Sequence, residues 1–265
     1  MKKIIAKAMG CIMAMVGLCS LGACGDGKTV TIGYTDYAPM NYEDENGELI
    51  GFDTELAKQV FGDLGYKVRF KLIEWSNKYM EVNSGTIDCI WNGFTANCAD
   101  DDGIQRAEKV DFSYYYMTNA QCILRLETAT ELTDKAQFSG MTVAYEASSA
   151  AEGFVKGITG ANVKAVTSQM DAIRELTAGT AQYAVVDLLL AKSIAGKGDF
   201  SKVILNEGIE IASEYYAIGF KKGSDLTQKV NGKLLEYAAD GTLSALAEKY
   251  GLSNQIITDY ADQVK

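Results

Sequence analysis

The stretch Trp91 to Ser113, WNGFTANCADDDGIQRAEKVDFS, places three consecutive aspartates just ahead of an arginine. A guanidinium is a planar fork of donors that suits the two oxygens of a carboxylate. Arg106 therefore either pairs with Asp100 to Asp102 at the surface or holds a carboxylate from outside the chain. A calcium loop does not fit the same residues: with Gly103 at the turn position, Cys98 falls where an aspartate is needed and Lys109 where the bidentate glutamate belongs. No metal or cofactor is expected. Asp187 closes the apolar run AQYAVVD, where a carboxylate is costly unless paired. It also stands where an N-cap would open the helix LLLAKSI. The chain has no histidine, which excludes Ser-His-Asp catalysis, Cys-His pairs and imidazole metal ligands.

A length of 265 residues with 48% hydrophobic content allows one large or two modest domains with a real core. The net charge of -10 opposes nonspecific nucleic-acid binding, so no nucleic acid is expected as a partner. Residues 1–23 read as an export signal: Lys2, Lys3 and Lys7, then MGCIMAMVGLCSLGA, too short to favour a membrane span. The signal ends in LGAC, which resembles a bacterial lipoprotein signal with Cys24 as the lipidated residue. Ordinary cleavage beside an incidental cysteine is the alternative. Lipidation would hold the chain on the extracytoplasmic face of the cell membrane. With Cys11 and Cys19 removed in the signal, Cys89, Cys98 and Cys122 remain, as one disulfide plus a thiol or as three thiols.

After a tether at 24–28, hydrophobic periodicity predicts strands and helices in alternation. Thr29 to Gly33, KVRFKLIEW and TIDCIWNGF read as strands; Leu56, Ala57, Val60 and Phe61 make a helical stripe, and Lys78 to Asn83 a second helix. The pattern repeats through the strands GMTVAYE, NVKAV and AQYAVVD, with a helix over Met170 to Leu176. EYYAIGFKKG reads as one late strand, followed by helices over Leu226 to Ala238 and Leu243 to Tyr250. The expected class is α/β in two lobes: residues 29–120, then 121–213, then a return to the first lobe over 214–265. Crossings near Asn119 to Ile123 and Ser213 to Ile218 would be short enough to hinge, with a ligand cleft between the lobes.

Taken together, IGYTDYAPMNYEDENGELIGFDTELAKQV, IEWSNKYMEVNSGTIDCIWNGFT, QRAEKVDFS, RELTAGTAQYAVVD and LLEYAADGTLSALAEKYG resemble the polar amino acid substrate-binding proteins of ABC importers. The resemblance implies the two-lobed periplasmic-binding-protein-like fold of type II, each lobe a mostly parallel sheet flanked by helices. It implies a free L-amino acid in the interlobe cleft and delivery, as a monomer, to a permease driven by a separate ATPase. Carried over by position, Tyr37 packs against the ligand side chain and Trp75 forms the opposite wall. Asn92, Gly93 and Thr95 meet the ligand's charged ends, Arg106 clamps the α-carboxylate and Asp187 receives the α-ammonium. Ser149 and Ala150 stand at a helix opening that normally reads Gly-Ser/Thr-Ser/Thr, so the usual glycine and one hydroxyl are missing. The chain also inserts NCADDDGI ahead of Arg106, where the family usually has a short turn. Asp36 would favour a cationic side chain if it faced the ligand, whereas aromatic walls suit apolar bulk such as cystine, methionine or an aromatic amino acid. Fold-related lyases and cell-wall hydrolases are the enzyme alternative, with Asp36, Glu43 or Glu146 as acid or base. A sensory ligand-binding module is the third class.

Overall fold

Two mixed sheets divide the chain, and the computed structural model describes residues 28–211 and 213–263. The export signal and Cys24 lie outside the described residues. The first sheet runs β4 (Lys67–Leu72), β1 (Thr29–Tyr34), β5 (Cys89–Ile90), β13 (Gly219–Phe220), β6 (Asp111–Phe112). The chain between β1 and β4 forms a small hairpin, β2 (Tyr42–Glu43) with β3 (Leu49–Ile50), and then α1 (Phe52–Asp63). Residues Val30 to Gly33 of β1 are all buried, as expected of a strand covered on both faces. One covering face is α1, which buries Phe52, Leu56, Ala57, Val60 and Phe61, each of the four larger side chains contributing about 1.5–3 kcal/mol when fully buried. Between β4 and β5 lies α2 (Lys78–Ser84), and α3 (Arg106–Lys109) precedes β6.

The second sheet runs β11 (Val203–Leu205), β7 (Met117–Leu126), β10 (Tyr183–Asp187), β8 (Thr142–Glu146), β9 (Asn162–Val166). Its helices are α4 (Ala151–Lys156), α5 (Gln169–Thr177) and α6 (Leu188–Ile194). The chain ends in α7 (Asp225–Asp240) and α8 (Thr242–Lys249), which pack on α1.

Each sheet is mixed but keeps the expected bias, with four strands of the five in line pointing the same way and one reversed, β13 in the first and β7 in the second. The β4, β1, β5 and β9, β8, β10 sets are parallel, whereas β13, β7 and β11 pair antiparallel. The reversed strand of each sheet, β13 or β7, is the one by which the chain enters that lobe from the other, and β6 and β11 pair antiparallel only because they border it. The single late strand is also two. β12 (Ser213–Tyr216) pairs with the start of β7, Asn119 opposite Glu214, and the chain then breaks at Ala217 and Ile218 before β13 joins the first sheet. The β7 and β12 pair is thus the double connection between the lobes. Cys89 and Cys122 are buried, Cys98 is partly exposed, and all three are free thiols. Among the described residues no helix is long and apolar enough to cross a membrane.

Candidate functional site

A narrow cleft lies between the sheets, lined from the first lobe by Thr35, Trp75, Asn92, Gly93, Thr95 and Arg106. The second lobe supplies Glu146, Ser149, Ala150, Gln169 and Asp187. Strand ends place the acids: β8 ends on Glu146 and β10 on Asp187, and the two strands are parallel neighbours. Ligands bind at such carboxyl edges because backbone and side chains there fan outward.

Arg106 is 1% exposed, so its charge must be met inside the protein. Its Nε donates to Asp100 Oδ1 at 2.8 Å, Nη1 to the Thr95 carbonyl at 3.0 Å and Nη2 to the Ser148 carbonyl at 3.2 Å. A guanidinium has five N–H donors, so one remains on each terminal nitrogen for a ligand carboxylate. The aspartate run therefore serves to hold cations of the protein. Asp100 Oδ2 also accepts from Lys109 at 2.8 Å. Burial alone would raise Asp100, but Arg106 and Lys109 outweigh it and hold the carboxyl down at about 2. Asp102 accepts from Lys109 at 2.7 Å, and Asp101 reaches across the cleft to Lys156 of α4 at 3.0 Å. Arg106 thus pairs with Asp100 in the interior and not at the surface, and it lines the cleft.

Asp187 occupies the backbone N-cap position of α6 without a capping side-chain bond. Asn119 Oδ1 takes over that duty, accepting from Leu189 N at 3.2 Å. The freed carboxylate accepts from Gln169 at 2.6 Å, from Asn119 at 3.1 Å and from Gln121. Asn119 and Gln121 each also donate to Glu214 Oε2 at 3.1 Å, and Thr95 Oγ1 donates to the same atom at 3.2 Å. One amide network therefore links both lobes through the β7 and β12 connection.

Gly93 has φ +56°, and a Cβ there would fall 2.5 Å from the Tyr37 ring, so no larger residue fits without displacing the ring. Its N–H is committed to Asp53 at 2.8 Å, which leaves its carbonyl to meet an ammonium. Asn92 is committed as well, donating to the Thr35 carbonyl at 2.9 Å and to Asn41 at 2.8 Å. Ser148 takes the left-handed φ of +60° that a glycine usually supplies, and its carbonyl accepts from Lys78 at 2.9 Å. Ser149 Oγ is buried and unpartnered, and the Ala150 N–H has no partner among the described residues.

The sequence profile of the bacterial extracellular solute-binding proteins, family 3, matches residues 30–253. The chain belongs to that family. It is 26% identical to the L-cystine-binding protein TcyJ of Escherichia coli (strain K12), over 81% of this chain and 79% of TcyJ. It is 27% identical to the L-cystine-binding protein TcyA of Bacillus subtilis (strain 168), over 92% of this chain and 97% of TcyA. Among solved structures, an ancestral arginine-binding protein, seen bound to arginine and to glutamine, superimposes with a TM-score of 0.76. It shares 29% identity over 84% of this chain and 97% of its own. The fold is the two-lobed periplasmic-binding-protein-like fold of type II. As a family 3 solute-binding protein, the chain binds a solute rather than turning one over.

In this solute-binding protein the cleft gathers Trp75, Asn92, Gly93, Thr95, Arg106, Ser149, Ala150 and Asp187, all expected from sequence. Tyr37 is the exception. It is 2% exposed and does not line the cleft, because its ring packs beneath Gly93 and its hydroxyl bonds the Tyr216 hydroxyl at 2.6 Å. Asp36 also misses the cleft, facing an adjoining groove with Arg174, and Glu43 does not line it. Thr35 and Gln169 were not anticipated, and Glu146 was named only as an acid or base under the enzyme alternative.

The buried acids of this binding protein set its pH response. Burial, with Asp187 as the second cause for both glutamates, pushes Glu146 up to about 8 and Glu214 up to about 7. Burial raises Asp53 to about 7 against the pull of the Gly93 N–H and the Tyr116 hydroxyl. Raised acids stabilise the fold fully below their unfolded values and lose that contribution as pH climbs through the folded ones. Lys78 acts in the opposite sense: burial and then Arg106 lower it to about 7, so its contribution is lost as pH falls from 10.5 to 7. Three carboxyls outweigh one lysine between pH 5 and 8. The ligand-free protein is expected to melt several degrees higher at pH 5 than at pH 8 in a calorimetric scan, and an equal or lower value would contradict these assignments.

Proposed function

We propose that the protein captures a free L-amino acid between its lobes and, closed around it, hands it to the permease of an ABC importer. The observation that carries this is the placement of Arg106 and Asp187, buried cation and buried anion, on opposite lobes of one small cleft. An α-carboxylate and an α-ammonium lie at opposite sides of a single carbon, so only the closed form meets both, and binding shifts the population towards closure. Relatives named for cystine and arginine binding support the same class of ligand.

The ATPase is a separate chain. Gly22 to Thr29 matches the spacing G-x-x-x-x-G-K-[ST], but Thr29 opens strand β1, where a phosphate loop needs the start of a helix. Cys24 is the lipid anchor, supported by the lysines, the apolar run and the LGAC ending, and it would keep the protein on the extracytoplasmic face of the membrane. The cleft is complete within one chain, which fits a monomer.

The test is a thermal-shift screen against the twenty common amino acids, cystine and ornithine. A ligand at 100 times its Kd adds about 2.7 kcal/mol, a rise of several degrees in Tm. A response to one or a few L-amino acids is expected; no response to any of them would overturn the proposal.

A further inference from the structure

Two acids line the cleft, yet a zwitterionic clamp needs only one. Asp187 is the clamp acid, its oxygens already held by Gln121, Asn119 and Gln169. Glu146 is different. It is 2% exposed, it lines the cleft, and its Oε1 has no hydrogen-bond partner among the described residues. The Gln169 N–H is the one hydrogen bond acting on this carboxyl, so one buried oxygen is left free toward the cleft, and a buried polar atom left unpaired is costly.

The charges around Glu146 are Asp187, Lys78 and Arg106. Lys78 does not cancel it at contact, because its Nζ donates to the Ser148 carbonyl at 2.9 Å and the Trp75 carbonyl at 3.4 Å, and it forms no ion pair with Glu146. Arg106 is already matched by Asp100 and is needed for the α-carboxylate. A neutral side chain would therefore leave Glu146 alone in the closed cleft. The Asp36 position cannot serve instead, since it faces the adjoining groove.

Resting on the amino-acid-binding function above, we propose that Glu146 selects the ligand: the cleft takes an amino acid with a second protonated nitrogen at the far end of its side chain, and Glu146 receives that nitrogen. The nitrogen is either the side-chain cation of a basic amino acid or the far ammonium of cystine; both present the same donor. With its carboxyl raised to about 8 by burial and by Asp187, Glu146 is largely protonated in the empty cleft at pH 7. An arriving cation displaces that proton, which leaves to solvent.

The experiment is calorimetric titration of the protein and of Glu146→Gln at pH 7, in two buffers of different ionisation enthalpy. The ligands are ornithine, lysine, arginine and cystine, with glutamine and methionine as neutral comparators. The wild-type protein is expected to bind at least one doubly cationic ligand ten or more times tighter than either comparator, releasing close to one proton. Glu146→Gln should cut that preference by about 10- to 100-fold, the range for one charge-assisted hydrogen bond, and abolish the proton release. Tightest binding of a basic amino acid or of cystine identifies which nitrogen Glu146 meets. A wild-type preference for a neutral or acidic amino acid, or binding without proton release, would overturn the selection while leaving amino-acid capture intact. An unchanged preference in Glu146→Gln would do the same. No binding of any ligand would overturn both. Selectivity and proton release are read on the wild type, so a poorly folding variant does not shield the proposal.

Discussion

Asp187→Asn is expected to leave the protein folded and to weaken its binding of every amino acid by 30-fold to several-thousand-fold. Truncating one partner of a buried, hydrogen-bonded charge pair costs about 2–5 kcal/mol. Here the lost partner is the only lining acid aimed by amides from three directions, from Gln121, Asn119 and Gln169. The fold should tolerate the change, since burial already raises the Asp187 carboxyl and removing its charge relieves that penalty. Against this, the asparagine N–H₂ must face one of the donors, so a small loss of stability is expected. Calorimetric Kd values and the Tm of the empty protein separate the two effects. Unaltered affinity would remove Asp187 from the clamp.

Arg106→Ala is expected to be worse on both counts. It strips the Thr95 carbonyl of its donor, leaves the Ser148 carbonyl with Lys78 alone, and leaves Asp100, 6% exposed at its side chain, with Lys109 as its one remaining ion-pair partner. Breaking a buried ion pair from one side costs about 3–5 kcal/mol, which for a chain of this size lowers Tm by about 10 °C. Ligand binding should vanish. Arg106→Lys separates stability from binding: it keeps the charge but offers one point of donors in place of a fork. That variant should recover part of the stability while its affinity stays at least tenfold below the wild type. A stability loss under about 1 kcal/mol for the alanine variant would mean that Asp100 is held mainly by other groups.

The residues proposed for the clamp stood out in the sequence because their chemistry is demanding. An arginine after an acidic run and an aspartate closing an apolar strand each require a partner wherever the chain folds. Glu146 carried the same signal, an acid closing the strand-like run MTVAYE, and the parallel pairing of β8 with β10 sets it beside Asp187. Gln169 and Glu214 gave no such warning. They reach the site from the first turn of α5 and from β12, so only tertiary packing makes them neighbours of Asp187. Tyr37 was harder to place for the opposite reason: an aromatic in a turn-rich segment suits a ligand wall as well as a floor, and in the structure its ring fills the space a Gly93 side chain would need. The alternation of strand and helix was plain in the sequence. The antiparallel strands and the break between β12 and β13 were not, since pairing direction follows from where the chain crosses between lobes, and periodicity is silent on that.

The central claim is that one ligand is gripped by its two charged ends from opposite lobes. The most direct measurement is calorimetric titration of the tightest-binding amino acid beside two analogues, its carboxamide, without the carboxylate, and its des-amino acid, without the ammonium. Both analogues should bind on the order of 100-fold more weakly or not at all, since each removes charge-assisted bonds worth about 1.5–3 kcal/mol apiece and leaves Arg106 or Asp187 buried without its ligand partner. If either analogue binds within threefold of the parent, the grip does not run between Arg106 and Asp187.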